Sequence, residues 1–277
     1  MKDTQELSAG KSTHTGTGQL NHTEIDQRPY SEFDKSTHLV SSKLIRTIPL
    51  HQKQRGFSHK MMNSSGSFPA DCELIETMRL HKAGHVLLLA LHLKRLQRSA
   101  QAFGYVYDQQ RVLAALQPYL LQNYDQPQRL RLTLNPQGKV TVQCSPLATT
   151  AQPVRIALSP TPVLADPWVL RHKTTQRAHW TQGESWLQQH PSFFDVIYYD
   201  QNGFITEGGR SNIYVWSDQQ WITPPMDQAL LGGVQRQFIL DQGWAVEGPV
   251  SQHMLLNAPR VRVSNALRGW LDATLCV

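Results

Sequence analysis

The chain predicts an α/β fold of two small α/β domains behind a polar N-terminal tail, and three observations carry that expectation. Short apolar runs that alternate with polar residues, separated by Gly, Pro and Asn turns, give the strand signal. Among them Leu89, Leu93, Leu96, Ala100 and Phe103 recur at spacings of 4, 3, 4 and 3, one face of an amphipathic helix. A stretch rich in proline and small residues, 159–167, divides the patterned region in two. The expected units are a tail over 1–66, a small domain over 67–160 and a larger one over 161–277.

The elements follow in order. Residues 73–80 read as a strand and Lys82-Ala83-Gly84-His85 as a turn; the helix through Leu89 then ends at Gly104. Arg129 to Leu134 alternates strictly. With the turn Asn135-Pro136-Gln137-Gly138 and then Val140 and Val142, it predicts a hairpin. Val154–Leu158 is a further strand, and 193–199, 211–216 and 221–222 follow beyond the divide, with a late helix opening near Gly233. No internal repeat is visible.

The tail differs in kind. Only 16 of its 66 residues, about 24%, are apolar, too few to offset the entropy of ordering it, so it is expected to be largely disordered. A more aliphatic piece, 39–50, could dock on a surface, and the tail's five histidines lack metal-ligand spacing. The chain carries a net charge of +6 with a pI near 9.3. No basic–aromatic interleaving or nucleic-acid motif accompanies that charge, so it is read as steering anionic ligands and not as a nucleic-acid surface. Cys72, Cys144 and Cys276 are scattered without CxxC spacing, which argues against a disulfide framework or a zinc site. The longest apolar run, 86–91, cannot span a bilayer, and no secretory leader is evident, so the expected location is cytoplasmic, with no membrane partner.

Four positions offer chemistry. Lys173 stands in Leu170-Arg171-His172-Lys173-Thr174-Thr175-Gln176-Arg177, where the charges of Arg171 and Arg177 would help an amine lose its proton. Glu207 opens Glu207-Gly208-Gly209-Arg210-Ser211-Asn212-Ile213-Tyr214. Gly232-Gly233 precede a helical run, and free amides at a helix start bind phosphate. Arg95 lies on the amphipathic helix and offers the planar donor fork that suits phosphate. Neither GxxxxGK[ST] nor GxGxxG occurs.

Taken together, these segments resemble the fold-type IV pyridoxal-phosphate enzymes, the class IV aminotransferase family. E-x-x-x-S-N-[aliphatic]-[aromatic] at 207–214 is followed by Ile222-Thr223-Pro224-Pro225 and then Leu230-Leu231-Gly232-Gly233-Val234-Gln235-Arg236, a block similar to the family signature, with glycine at 232 where proline is frequent. The resemblance covers roughly residues 70–270. It implies the two-domain architecture of that family and pyridoxal 5′-phosphate as cofactor, with no metal. It further implies that Lys173 carries the cofactor covalently and serves as the catalytic base, and that Glu207 faces the ring nitrogen. Arg95, the amides of Val234 and Gln235, and Asn265 would bind the phosphate, and the active form would be a homodimer.

The segments His172-Lys173-Thr174-Thr175-x-Arg177, Glu76-Thr77-Met78-Arg79 and Asn265-Ala266-Leu267-Arg268-Gly269 look most like the 4-amino-4-deoxychorismate lyase branch, whose reaction yields pyruvate and p-aminobenzoate for folate synthesis. For a small dicarboxylate substrate the candidate ligands are Thr77, Arg79, Arg177 and Arg268. An aminotransferase acting on branched-chain or D-amino acids, using the same cofactor groups, is the alternative.

Overall fold

The computed structural model describes residues 71–276. The expectations for the 1–66 tail, including its aliphatic piece and its histidines, lie outside the described residues.

The fold is mixed α/β, in two sheets. The first has three antiparallel strands in the order β1-β2-β3: β1 (Leu74–Leu80), β2 (Gln128–Leu134) and β3 (Val140–Pro146). Alternation sends Leu74, Met78 and Leu80 of β1, with Leu130, Leu132 and Leu134 of β2, to one face. Against them pack Leu93, Leu96 and Ala100 of α1 (Leu89–Phe103) and Val112 and Leu116 of α2 (Gln109–Leu116). Helix α1 stops at Gly104, whose φ of 70° is the left-handed turn that glycine adopts without a Cβ penalty. Helix α2 starts at Asp108, whose carboxylate accepts the amides of Gln110 and Arg111.

The second sheet has eight strands, ordered β6-β5-β4-β11-β10-β7-β8-β9. Its members are β4 (Val154–Leu158), β5 (Phe193–Tyr199), β6 (Ile205–Gly208), β7 (Asn212–Ser217), β8 (Gln220–Thr223), β9 (Val246–Glu247), β10 (Val261–Asn265) and β11 (Gly269–Cys276). Strand β4 runs parallel to both β5 and β11, while β10 is antiparallel to β7 and β11. Ile156, Ile197, Ile213, Val215 and Val263 form its apolar centre. Helices α3 (Pro167–Leu170) and α4 (Thr181–Gln189) bring Leu170 and Leu187 to Val196 and Tyr198, a second core. Helix α5 (Val234–Asp241) sets Ile239 against Tyr214 and Trp221, and α6 (Gln252–Leu256) supplies Leu255 to the centre.

The chain crosses from one sheet to the other over 147–153, earlier than the expected 159–167. The reason is that Val154–Leu158 is already a strand of the larger sheet, in register with β11. Segment 159–163 instead continues along β5 in the direction of β4, with the amides of Ser159 and Val163 on the carbonyls of Ile197 and Tyr199. No helix among the described residues is long and apolar enough to cross a membrane, and they hold no group of three or more His, Cys, Asp or Glu that could bind a metal ion.

Candidate active site

A cavity of about 670 Å³ opens between the two sheets, and Lys173, Arg95, Glu207, Val234, Arg177 and Arg129 are among the residues lining it.

The lysine segment is fixed by the small sheet. Lys173 O accepts the amide of Ile75 at 2.8 Å, and Glu73 O accepts the amide of Thr175 at 2.9 Å. Thr174 bridges Leu74, and Thr175 Oγ1 accepts the Glu73 amide, so 173–175 lie along the edge of β1. Just before it, His172 Nδ1 meets Ser99 Oγ at 2.9 Å and its ring packs edge-on against Phe103 of α1. Burial, then the charges of Arg98 and Arg171, hold His172 at a pKa of about 4, so it is neutral at pH 7. Burial also lowers the pKa of Lys173 to about 8, assisted by Arg95 and Arg177 and opposed by Glu76 and Glu207. Arg171, one of the two expected neighbours, acts on His172, and Arg95 takes its place beside the lysine.

Glu207 sits on β6, only 5% exposed. Burial raises its pKa to about 8, against the pull of the Leu231 amide and of the Lys173 charge. Leu231 N–H donates to its Oε1 at 2.9 Å, which ties β6 to the loop entering α5. The turn beyond it is held by Asp195, a fully buried carboxylate that accepts the Ser211 hydroxyl at 2.6 Å and the amides of Arg210 and Val196. A Cβ at Gly208 would stand 2.2 Å from Asp195 Oδ2, so this turn closes only around glycine.

Helix α5 begins at Gly233 with no side-chain cap, which leaves the start of the helix, at Val234, suited to an external acceptor. Asn212 Nδ2 donates to Leu231 O at 2.9 Å, and a Cβ at Gly233 would lie 1.9 Å from Asn212 Oδ1. The backbone of this loop is thus drawn tightly onto β7. Arg95 reaches the same loop from α1. Its Nε and one terminal nitrogen fork onto Glu76 at 2.8 and 2.6 Å, and the other terminal nitrogen points to Gly232 O at 3.4 Å. His92 completes this buried cluster, its Nδ1–H donating to Glu76 Oε2 at 2.6 Å.

Three of the four expected substrate ligands also line the cavity: Thr77, Arg177 and Arg268. Arg177 is already engaged, donating to Glu184 at 2.8 and 2.6 Å and to Gly209 O at 2.7 Å. Arg79 lies outside the lining and pairs in register across the strands with Arg129, which does line it. Asn265 is at the wall, but its side chain shapes the β10–β11 turn: Oδ1 accepts the amides of Leu267 and Arg268, and Nδ2 donates to Arg210 O at 3.2 Å. Sequence reasoning passed over Glu76, His92, Asp195, Asn212 and Arg129 as working residues. Glu76 had a visible signal, a carboxylate in phase with Leu74, Met78 and Leu80 on an apolar strand face, which demands buried partners.

The donor set fits pyridoxal phosphate. An uncapped helix start behind a glycine cradle and a guanidinium suit a phosphate. A buried glutamate suits a ring nitrogen, and a lysine with a depressed pKa suits an aldehyde.

Comparison with known proteins agrees with the resemblance read from the sequence and with the fold. The family model for amino-transferase class IV matches residues 73–276. A Schizosaccharomyces pombe protein provisionally named as an aminodeoxychorismate lyase is 29% identical over 192 residues, 67% of this chain and 82% of that one. The crystal structure of a Mesorhizobium loti protein, provisionally an amino-acid aminotransferase, superimposes with a TM-score of 0.67 at 34% identity, covering 74% of this chain and all of that one. A Legionella pneumophila structure, provisionally a 4-amino-4-deoxychorismate lyase, shares the fold with a TM-score of 0.61 at 16% identity, covering 76% of this chain and 88% of that one.

Proposed function

Because the chain belongs to the class IV aminotransferase family, we propose that it is a pyridoxal-phosphate enzyme acting as a 4-amino-4-deoxychorismate lyase, releasing pyruvate and leaving p-aminobenzoate. The observation that carries this reading is a buried lysine, its pKa lowered to about 8, in one cavity with Glu207, the uncapped start of α5 and Arg95. The lysine context and the Schizosaccharomyces pombe relative support the lyase branch.

In this reading Lys173 carries the cofactor. The amides of Val234 and Gln235, one nitrogen of Arg95 and the turn shaped by Asn265 would receive its phosphate, and Glu207 would pair with its ring nitrogen. When bound, the cofactor supplies an electron sink for the carbanion at the substrate carbon that bears the amine. Glu207, whose pKa burial raises to about 8 in the empty site, would be the carboxyl that pairs with that nitrogen. With the cofactor and substrate bound, the free amine of Lys173 would be the group that takes the proton from the ring carbon bearing nitrogen. The carbon–oxygen bond to the enolpyruvyl group then breaks, the ring becomes aromatic, and Lys173 returns a proton so that the leaving group departs as pyruvate. A pKa near neutrality lets one amine act in both directions. Thr77, Arg177 and Arg268, which line the cavity, are the proposed carboxylate ligands of this dicarboxylate, with Arg79 behind them outside the lining, and the protein is proposed to act as a cytoplasmic homodimer.

Purified protein mixed with pyridoxal phosphate should show the visible absorbance of a lysine-bound cofactor, and Lys173→Ala should remove both that band and all turnover. A band that survives in the variant overturns the assignment. The 34% identity to the Mesorhizobium loti protein favours the second reading, an aminotransferase. Pyruvate release from 4-amino-4-deoxychorismate, measured against amino transfer to 2-oxoglutarate, separates the two: transfer without pyruvate makes it an aminotransferase.

A further inference from the structure

The three-stranded sheet spends one face on the leucine core with α1 and α2. On the other face the same alternation places Thr77 and Arg79 of β1 and Arg129 and Arg131 of β2, with Arg79 directly across from Arg129 and Thr77 across from Arg131. Like charges set opposite each other on paired strands destabilise a sheet, so this row costs stability where it stands. Arg129 lines the large cavity. Its backbone belongs to the ladders with β1 and β3, while its guanidinium makes no hydrogen bond or ion pair with another described residue.

From the larger sheet, Arg268 on the β10–β11 turn reaches the same cavity and donates to Ala148 O on the crossing between the sheets. Burial, then the nearby charges of Arg79 and Arg129, disfavour the charge on Arg268. The hydroxyl-bearing Thr149 and Thr150 line the cavity on that same crossing, and Phe193, Phe194 and Trp180 add aromatic surface. The groups suited to a phosphate come from other elements: Arg95 stands on α1 and meets the loop before α5 at Gly232, and the uncapped start of α5 follows that loop.

We propose that Arg129, with Arg268 beside it, forms a carboxylate-binding subsite of this cavity, and that Arg129 decides whether a ring carrying a carboxylate is accepted. The planar guanidinium fork matches a carboxylate bidentately, the aromatic side chains take the ring, and the anion offsets the repulsion within the cationic row. An arginine held without a partner at a cavity wall is already desolvated in part, so a matching anion gains more there than at an open surface. The inference deepens the lyase reading and rests on this cavity being the substrate site, but it concerns binding and not the reaction.

The test is calorimetric titration of the purified full chain with 4-aminobenzoate and with its neutral counterpart 4-aminobenzamide. Wild type should bind the acid in preference to the amide. Arg129→Gln should weaken the acid about tenfold and leave the amide unchanged, the signature of one lost charge-assisted contact. Arg129→Lys, which keeps the charge and loses the fork, should fall between them, and it decides the matter if the Gln variant does not fold. The proposal is overturned if wild type does not prefer the acid, if the variant binds the acid as wild type does, or if both ligands weaken equally. Carboxylate discrimination without pyruvate release would sink the lyase reading and leave this subsite standing.

Discussion

Glu76 on β1 and Glu207 on β6 are buried to a similar degree, 2% and 5% exposed, yet their pKa values move in opposite directions. Burial pushes both upward. At Glu76 the Arg95 fork and the His92 N–H more than reverse it, so the carboxyl falls to about 2 and stays ionised. At Glu207 one backbone amide and two more distant cations do not, so the carboxyl rises to about 8 and keeps its proton at neutral pH. The lesson is one of division of labour. Glu76 is fully engaged and serves the framework by holding Arg95 in place, while Glu207 has acid–base capacity left for a ligand.

Removing the engaged member should have the largest effect. Glu76→Gln leaves Arg95 as a buried guanidinium without its counter-charge and should lower stability by about 3–5 kcal/mol, read by urea unfolding at pH 7. It should also weaken pyridoxal-phosphate binding, since Arg95 loses the partner that aims it. Unchanged stability would show that the cluster is not the strut described.

The two glutamates should also give opposite pH slopes. The pKa of Glu76 is depressed on folding, so its contribution is present above the unfolded value near 4.5 and is lost as pH falls toward 2. The pKa of Glu207 is raised, so the folded state binds the extra proton between 4.5 and 8. Its contribution is therefore fully present below 4.5 and is lost as pH climbs to 8. In protein without cofactor, Glu207→Gln should abolish that decline. At pH 8 it should be the more stable protein, by on the order of 5 kcal/mol at most at 1.36 kcal/mol per pH unit, while binding the cofactor less well. Thermal melts from pH 4.5 to 8.5 check this, and parallel curves for the two proteins would contradict it.

The smallest effect sharpens the comparison at the amine between them. Arg177→Gln removes a positive neighbour of Lys173, so the lysine pKa should rise by less than about one unit, moving the basic limb of turnover with it. The limb should not move for Glu184→Gln if Arg177 keeps its bond to Gly209, because an exposed pair of this kind is worth about 0–1 kcal/mol.

Much of this was legible where a pattern is local. Strand β4 falls at the predicted Val154–Leu158, α1 ends at the predicted glycine, and the hairpin through Asn135 is present. What escaped notice depends on distant partners. Strands β10 and β11, central in the larger sheet, have no counterpart among the expected elements, because Gly269 and Asn265 suggest a turn and the pairing that makes the flanks strands lies with β7 and β4. Helix α2 has a weak apolar face and is signalled chiefly by its Asp108 cap. Within the site, Lys173, Glu207, Arg95 and the Gly232-Gly233 loop were found as a set and lie together on one cavity. Arg129 was missed because its alternating strand reads as half-solvated, and only the placement of the second sheet turns that polar face into a cavity wall.

The backbone of 173–175 belongs to the edge of β1, while the amine it carries feels charges from both sides of the cavity, Arg95 and Glu76 from the small sheet and its helix, Arg177 and Glu207 from the larger one. Lys173 is therefore a seam. A shift of one sheet against the other would carry that amine away from half of the charges that set its pKa, so the docking of the two sheets, and neither sheet alone, tunes the group.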